Sequence, residues 1–447
     1  MTTARAERDR GPRRRARWGG RARTALGPAL AAGLTVAALL GAVLVAAPTA
    51  RAAPTPGDTW IAELAVLGGD DTNVVATAGA VRIAGDTVRA QSARSTLAEG
   101  ELLLAPRRMP TPVDRVSADV TADVPPGAQV LVDVRGLRAD GTWSQWEPAS
   151  PGGPAALPEV TTSVQVRATL VVGEHGIGPA LQRLWLTADR TRAQGPVGTA
   201  TIPIVPPGAT VPAPAPMAVP AVGSRVFATR EGLVGGTTAN GHVIVPRDHF
   251  VALPSRRGLS PRNTGDYTAK VCAPNGRCAW SPVWDVGPWN TKDDYWNPAV
   301  TRQTWKDLPQ GMPEAQAANQ KRYNGGKDGF GRTVANPAGI DLADGTFYDD
   351  LGLRDNSWVT VTYLWTGTGP SALARPTGVP TLVVRSAPTD TAPAVGAVAG
   401  GARMSVECSA VGQVRSGAQG TSSSWLRIGP NQYVPVAGVE APRVASC

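Results

Sequence analysis

The sequence predicts a mainly β protein built in three modules. Three observations carry that prediction: short runs that alternate apolar and polar residues, turn pairs such as Asp140-Gly141 and Asn275-Gly276 between such runs, and two breaks rich in Pro, Ala and Gly. The breaks set the boundaries: a leader over 1–52, a β-sandwich over 53–194, a spacer over 195–223, a central module over 224–368, a second spacer over 369–380 and a last module over 381–447.

The leader has an Arg-rich start, an apolar stretch from about Ala25 to Ala47 and the small-residue cleavage pattern Ala50-Arg51-Ala52, which is the plan of an export signal. If it stays uncut, the apolar stretch is long enough to serve as an anchor. Arg13, Arg14 and Arg15 suggest twin-arginine export, but the apolar and Lys residues expected next do not follow, so the route stays open. The leader holds ten Arg against Glu7 and Asp9, a charge of +8 out of the formal +9 of the chain. The mature chain is therefore almost neutral, and the basic pI gives no ground for nucleic-acid binding. A secreted, wall-associated monomer with no membrane contact after cleavage is expected.

Four Cys in an exported chain are expected to be oxidised in pairs, with three possible connectivities. Cys272 and Cys278 flank Pro274-Asn275-Gly276, a hairpin signal that lets them face each other, which leaves Cys408 to pair with Cys447. A zinc site is disfavoured, because the spacing is too wide for a knuckle and no His lies beside it. Lys292 beside Asp293 and Asp294 argues against a cation there, and no metal or cofactor is expected.

Upstream of the first spacer, "VDRVSADVTADVP", "QVLVDVRGLRADGTWSQW", "TSVQVRATLVV" and "ALQRLWLTAD" read as strands of a β-sandwich. The W-S-x-W pair Trp143 and Trp146, with the strand at 164–168, resembles jelly-roll accessory domains of secreted actinobacterial wall enzymes. Those two Trp point to one face, as glycan platform or as core. Downstream of the second spacer, the V-R-S-x-P start at 384–388, the V-G-x-V-x-x-G turn at 395–401, Trp425 and the pair Tyr433-Val434 resemble a bacterial SH3-like domain, a resemblance that implies attachment to peptidoglycan.

The central module holds seven of the thirteen Trp and two of the three His. It frames about fifty irregular residues with strands and offers one short helical candidate, "PEAQAANQKRYN". Four features in order, the G-x-T-A-N-G loop at 236–241, an apolar strand ending in Leu-Pro, Asp-x-Gly-Pro at 285–288 and Ile-Asp-Leu at 340–342, resemble the double-psi β-barrel family of rare lipoprotein A, the expansins and three-Asp lytic transglycosylases. The resemblance implies a double-psi barrel acting on peptidoglycan glycan strands, with Asp341 as the catalytic carboxyl and Asp285 as its companion.

Cleaving a glycosidic bond needs a carboxyl that stays protonated near neutral pH, which burial or a second carboxylate achieves. Hydrolysis would want a second carboxyl in the first strand, where Thr229 is no base and Glu231 serves only if the strand is shifted. Attack by the 6-hydroxyl of muramic acid needs one carboxyl alone, so lytic transglycosylase-like cleavage is expected. The competing readings are a non-catalytic, expansin-like wall binder and a structural adhesin, in which Asp285 caps the Gly-Pro turn. His249, Thr238, Asn240, Trp284, Trp289 and Trp296 are expected to bind substrate, with Tyr295 and Trp305 in the same groove wall. Trp358 and Trp365 are expected in the core, His242 at a turn rim, and Asp344, Asp349 and Asp350 in solvent.

Overall fold

In the computed structural model, residues 57–447 are described apart from 86, 91, 174 and 192–217. The expected export signal and most of the first spacer lie outside the described residues. The protein is mainly β, with 46% strand and 8% helix, and its centre is a closed six-stranded barrel.

The barrel strands are β1 (Val222–Glu231), β2 (Val251–Leu253), β3 (Thr268–Cys272), β4 (Cys278–Val286), β5 (Ala338–Ala343) and β6 (Ser357–Tyr363). Around the barrel the order is β1-β5-β2-β4-β3-β6 and back to β1. Two pairings, β1 with β5 and β2 with β4, are parallel; the other four are antiparallel. Strand β5, "AGIDLA", is buried at every position, as expected of a strand covered on both faces, whereas β6 alternates. Closure leaves no free edge, and the interior is filled by Val226, Ala228, Val251, Leu253, Ile340, Leu342, Val359 and Val361.

Between β4 and β5 the chain is irregular except for α1 (Glu314–Lys321) and a short 3-10 turn, in the place the helical candidate marks. Pro313 precedes α1, Glu314 complements its N-terminus, and Arg322 in the left-handed conformation (φ 55°) ends it.

Upstream, nine strands form one antiparallel sheet, whose two longest members are Arg107–Asp123 and Ala155–Val171. The junction with the barrel is buried and charged. Arg257 donates to the carbonyl of Trp146 at 3.1 Å, to Asp294 at 2.6 Å and to the carbonyl of Thr301 at 2.6 Å, and also pairs with Glu147. Trp146 is fully buried, its ring faced by the guanidinium groups of Arg135 and Arg167 at 4.4 Å and its indole N–H given to Leu259. Trp146 is therefore core at this junction, and no glycan can stack on it.

Downstream, the strand Ala394–Ala399 pairs in parallel with β4, placing Gly396 opposite Cys278 and Val398 opposite Trp280. A Cβ at position 396 would lie 1.9 Å from the Cys278 carbonyl oxygen, so only Gly permits this approach. The second expected spacer is not free chain: Ser371–Ala374 is a strand, with Ala372 and Ala374 fully buried. Its Pro and Gly suggested a linker, yet side chains as small as Ala fit the core shared with Met404 and Val439.

Both expected disulfides are present, Cys272–Cys278 six residues apart and Cys408–Cys447 thirty-nine apart. Loop-closure entropy scales with that separation, giving about 2 kcal/mol for the first and about 4 kcal/mol for the second. The Cys408→Ser, Cys447→Ser double variant is accordingly expected to melt lower than the Cys272→Ser, Cys278→Ser variant; equal losses by calorimetry would show that strand pairing already holds the C-terminus.

Candidate functional site

The register of β2 sets the site. Ala252 is paired with Asp285 on one side and with Asp341 on the other, so one residue of the short central strand carries a carboxyl to each flank. Thr229 of β1 is the partner of Asp341, and Glu231 lies two residues on along the same face. Three carboxyl groups thus meet at one end of the barrel. The second carboxyl that seemed to need a shifted strand is brought in by the ordinary period of two, and that alternation was the signal available in "FATRE".

The three groups differ in partners. Asp285 is fully buried; one carboxylate oxygen accepts the Ala239 N–H at 2.8 Å and the other the Ser92 N–H at 2.8 Å. Burial pushes its pKa up to about 6 against the pull of those backbone donors. Asp341 is 7% exposed and accepts the Thr229 hydroxyl. Burial pushes its pKa up to about 7; the Thr229 hydrogen bond opposes this, and the nearby Asp285 charge adds to it. Glu231 is buried, and burial, then the charges of Asp285 and Asp341, raise its pKa well above the usual range.

The cluster is covered by a segment of the upstream module that sequence reasoning missed. Besides the Ser92 hydrogen bond, Ala93 donates its N–H to the Val286 carbonyl at 3.0 Å, and Arg332 donates to the Ala93 carbonyl at 2.8 Å. Ala90 and Ala93 pack with Ala239, Leu259 and Val286. A Cβ at Gly287 would lie 2.3 Å from Ala93 N, so the Gly of the Asp-x-Gly-Pro segment admits the cover (φ 146°). The Ser92 side chain is buried beside Asp341 and Glu231 and pulls the pKa of each down against the effect of burial. Nothing in "ARSTL" or the residues before it marks this role; small residues between strands look like an ordinary loop.

The expected substrate-binding residues divide. Thr238 and Asn240 are buried and brace their own loop: the Thr238 hydroxyl donates to the Asn240 side-chain oxygen at 2.8 Å, and the Asn240 amide donates to the Ser260 carbonyl. His249 pairs with Asp350 at 2.8 Å, which makes Asp350 a buried partner and not a solvated loop residue. Trp284, half-buried, packs its ring on His242 and Phe250 and donates to the Thr264 carbonyl. Trp289 is half-buried, hydrogen-bonded to Asn336 and lies under Arg332. Trp296 does not line a groove: it is fully buried with Tyr295, Tyr363 and Trp365 and donates to Gln145 of the upstream module. An indole too large to leave wet in a long insertion folds inward here, and Trp365 is core as expected.

Among the described residues no group of three His, Cys, Asp or Glu has metal-holding geometry, and no helix is long and apolar enough to cross a membrane. A family model described as a domain of unknown function, DUF8814, matches residues 222–362, which are the barrel from the start of β1 almost to the end of β6. No curated protein and no solved structure matches the chain.

Proposed function

We propose that the protein is secreted to the cell wall, where the barrel cleaves peptidoglycan glycan strands in the manner of a lytic transglycosylase. The observation that carries this reading is Asp341: a buried carboxyl held near pKa 7, so that it is populated in both protonation states at neutral pH. In that reaction Asp341 gives its proton to the glycosidic oxygen as the bond to C1 of muramic acid breaks. The 6-hydroxyl of the same sugar then bonds to C1, and its proton returns to the Asp341 carboxylate. Thr229 holds the carboxyl in place. Both oxygens of Asp285 are taken by backbone N–H groups, so it serves as a positioning residue for the loops around Asp341.

The two parallel pairings within the closed barrel support the double-psi reading, and the small strands after Thr381 support an SH3-like anchor. Two apolar clusters in the upstream module, one around Val116 and Leu186 and one around Val81 and Leu170, support the jelly-roll-like sandwich. A second reading, a non-catalytic wall binder, is favoured by the cover: as the chain stands, residues 92–93 must move before a glycan reaches Asp341.

Digestion of purified sacculi by the mature protein and by its Asp341→Asn and Glu231→Gln variants decides between them. Products with 1,6-anhydromuramic ends from wild type and Glu231→Gln, and none from Asp341→Asn, are expected. Reducing ends that vanish in Glu231→Gln would make the protein a hydrolase, and sacculus binding without any release would make it a binder.

A further inference from the structure

A cleft of about 480 Å³ lies where the upstream sheet meets the barrel's irregular insertion, and its lining contains none of Glu231, Asp285 and Asp341. That volume is in the range of small-ligand sites, which favour domain junctions. One wall is the upstream segment Ser95, Leu97 and Glu99 with the strand Gln129–Gly136; the other holds Lys292, Trp305 and Phe330.

The aromatic wall is built, not incidental. Trp305 has a left-handed backbone (φ 49°), which a bulky side chain adopts only when its surroundings require it. Position 329 packs closely: a Cβ there would lie 3.1 Å from the Trp305 ring and 2.9 Å from the Asn290 oxygen. Asn290 holds the Gly329 N–H at 2.8 Å, fixing the turn that presents Phe330, 48% exposed, beside Trp305. Two aromatic side chains lining a cleft whose walls are mostly apolar suit the C–H faces of sugar rings.

The charges narrow the ligand. The lining carries Glu99 and Asp133 against Arg256, Arg257 and Lys292, one positive charge in excess. Arg256 is paired with Glu99, Arg257 with Glu147 and Asp294, and Asp133 with Arg167. Lys292 is exposed and has no ion pair among the described residues, so the excess charge is its ammonium.

We propose that this cleft binds an acidic saccharide, stacking its rings on Trp305 and Phe330 and placing one carboxylate at Lys292. The choice of saccharide rests on the glycan reading above; Ser95 in the wall belongs to the same segment as Ser92, whose N–H Asp285 holds.

The test is calorimetric titration of the mature chain with the disaccharide N-acetylglucosaminyl-N-acetylmuramic acid and with neutral di-N-acetylchitobiose. The acidic sugar is expected to bind more tightly, by about threefold for a partly exposed ion pair. Lys292→Gln, at an exposed position that leaves folding intact, is expected to erase that preference. Trp305→Ala is expected to weaken both sugars about tenfold, and Trp305→Phe to restore most of the loss. Binding of neither sugar, or an unchanged preference in Lys292→Gln, overturns the proposal. Cleft binding by a protein that leaves sacculi intact sinks the cleavage reading and leaves this one standing; sacculus cleavage without cleft binding does the reverse.

Discussion

Asp341→Asn is expected to cost activity and to gain stability at once. Loss of a general acid lowers the rate of glycan release by about 10²–10⁴. The same change relieves an unfavourable burial. The folded pKa of Asp341, about 7, lies above the unfolded value of about 3.9, so between those values the folded chain holds a proton that the unfolded chain has released. Stability from this group is full below about pH 4, falls as pH rises through the window, and is fully lost above about pH 7; the total is on the order of 4 kcal/mol. The Asn variant lacks that slope. Its melting temperature is expected to exceed that of wild type by a few degrees at pH 8 and to match it near pH 4. A variant no more stable at pH 8 would mean that Asp341 is solvated, and the acid assignment would go with it.

Arg257→Met is the second large effect, and its direction is the opposite. Arg257 is 5% exposed and joins the upstream module, through Glu147 and the Trp146 carbonyl, to Asp294 in the barrel, which is fully buried. Removing the cation strands Asp294 among only Asn297 and the Gln303 N–H. Breaking one side of such a buried pair costs roughly 3–5 kcal/mol. Arg375→Ala is the control: it removes an exposed pair with Glu440 and is expected to change stability by less than about 1 kcal/mol. Denaturant midpoints compare the two, and equal small shifts would show the Arg257 network to be a loose surface contact.

What the sequence made legible follows from local physics. Period-two alternation marked the strands, Asn275-Gly276 marked the hairpin that sets Cys272 against Cys278, and the Ala- and Gln-rich stretch after Pro313 marked α1. The positions of Asp285 and Asp341 came from motif order, and the register of Ala252 brings them to one barrel end. What stayed hidden depends on partners distant in the chain. Ser92 reaches Asp285 across 193 positions, and no property of an Ala, Gln and Ser loop reports that. Trp296 and Trp146 were indistinguishable from exposed platforms until Gln145 and Leu259 supplied their N–H partners. Ser371–Ala374 had the composition of a spacer, and only a neighbouring core of matching size turns it into a strand.

The parallel pairing of Ala394–Ala399 with β4 gives the chain a load path. A pull on the C-terminal module acts along the hydrogen bonds at Cys278, Ala279 and Trp280 in shear, where several must yield together, and not one by one as in a peeling hairpin. The Cys272–Cys278 bond staples the same end of β4, so the hairpin cannot unzip under tension. The far end of that strand carries Asp285, and with it the hold on Ser92. Traction on the C-terminal module is thus delivered down one rigid strand to the carboxylate that fastens the cover.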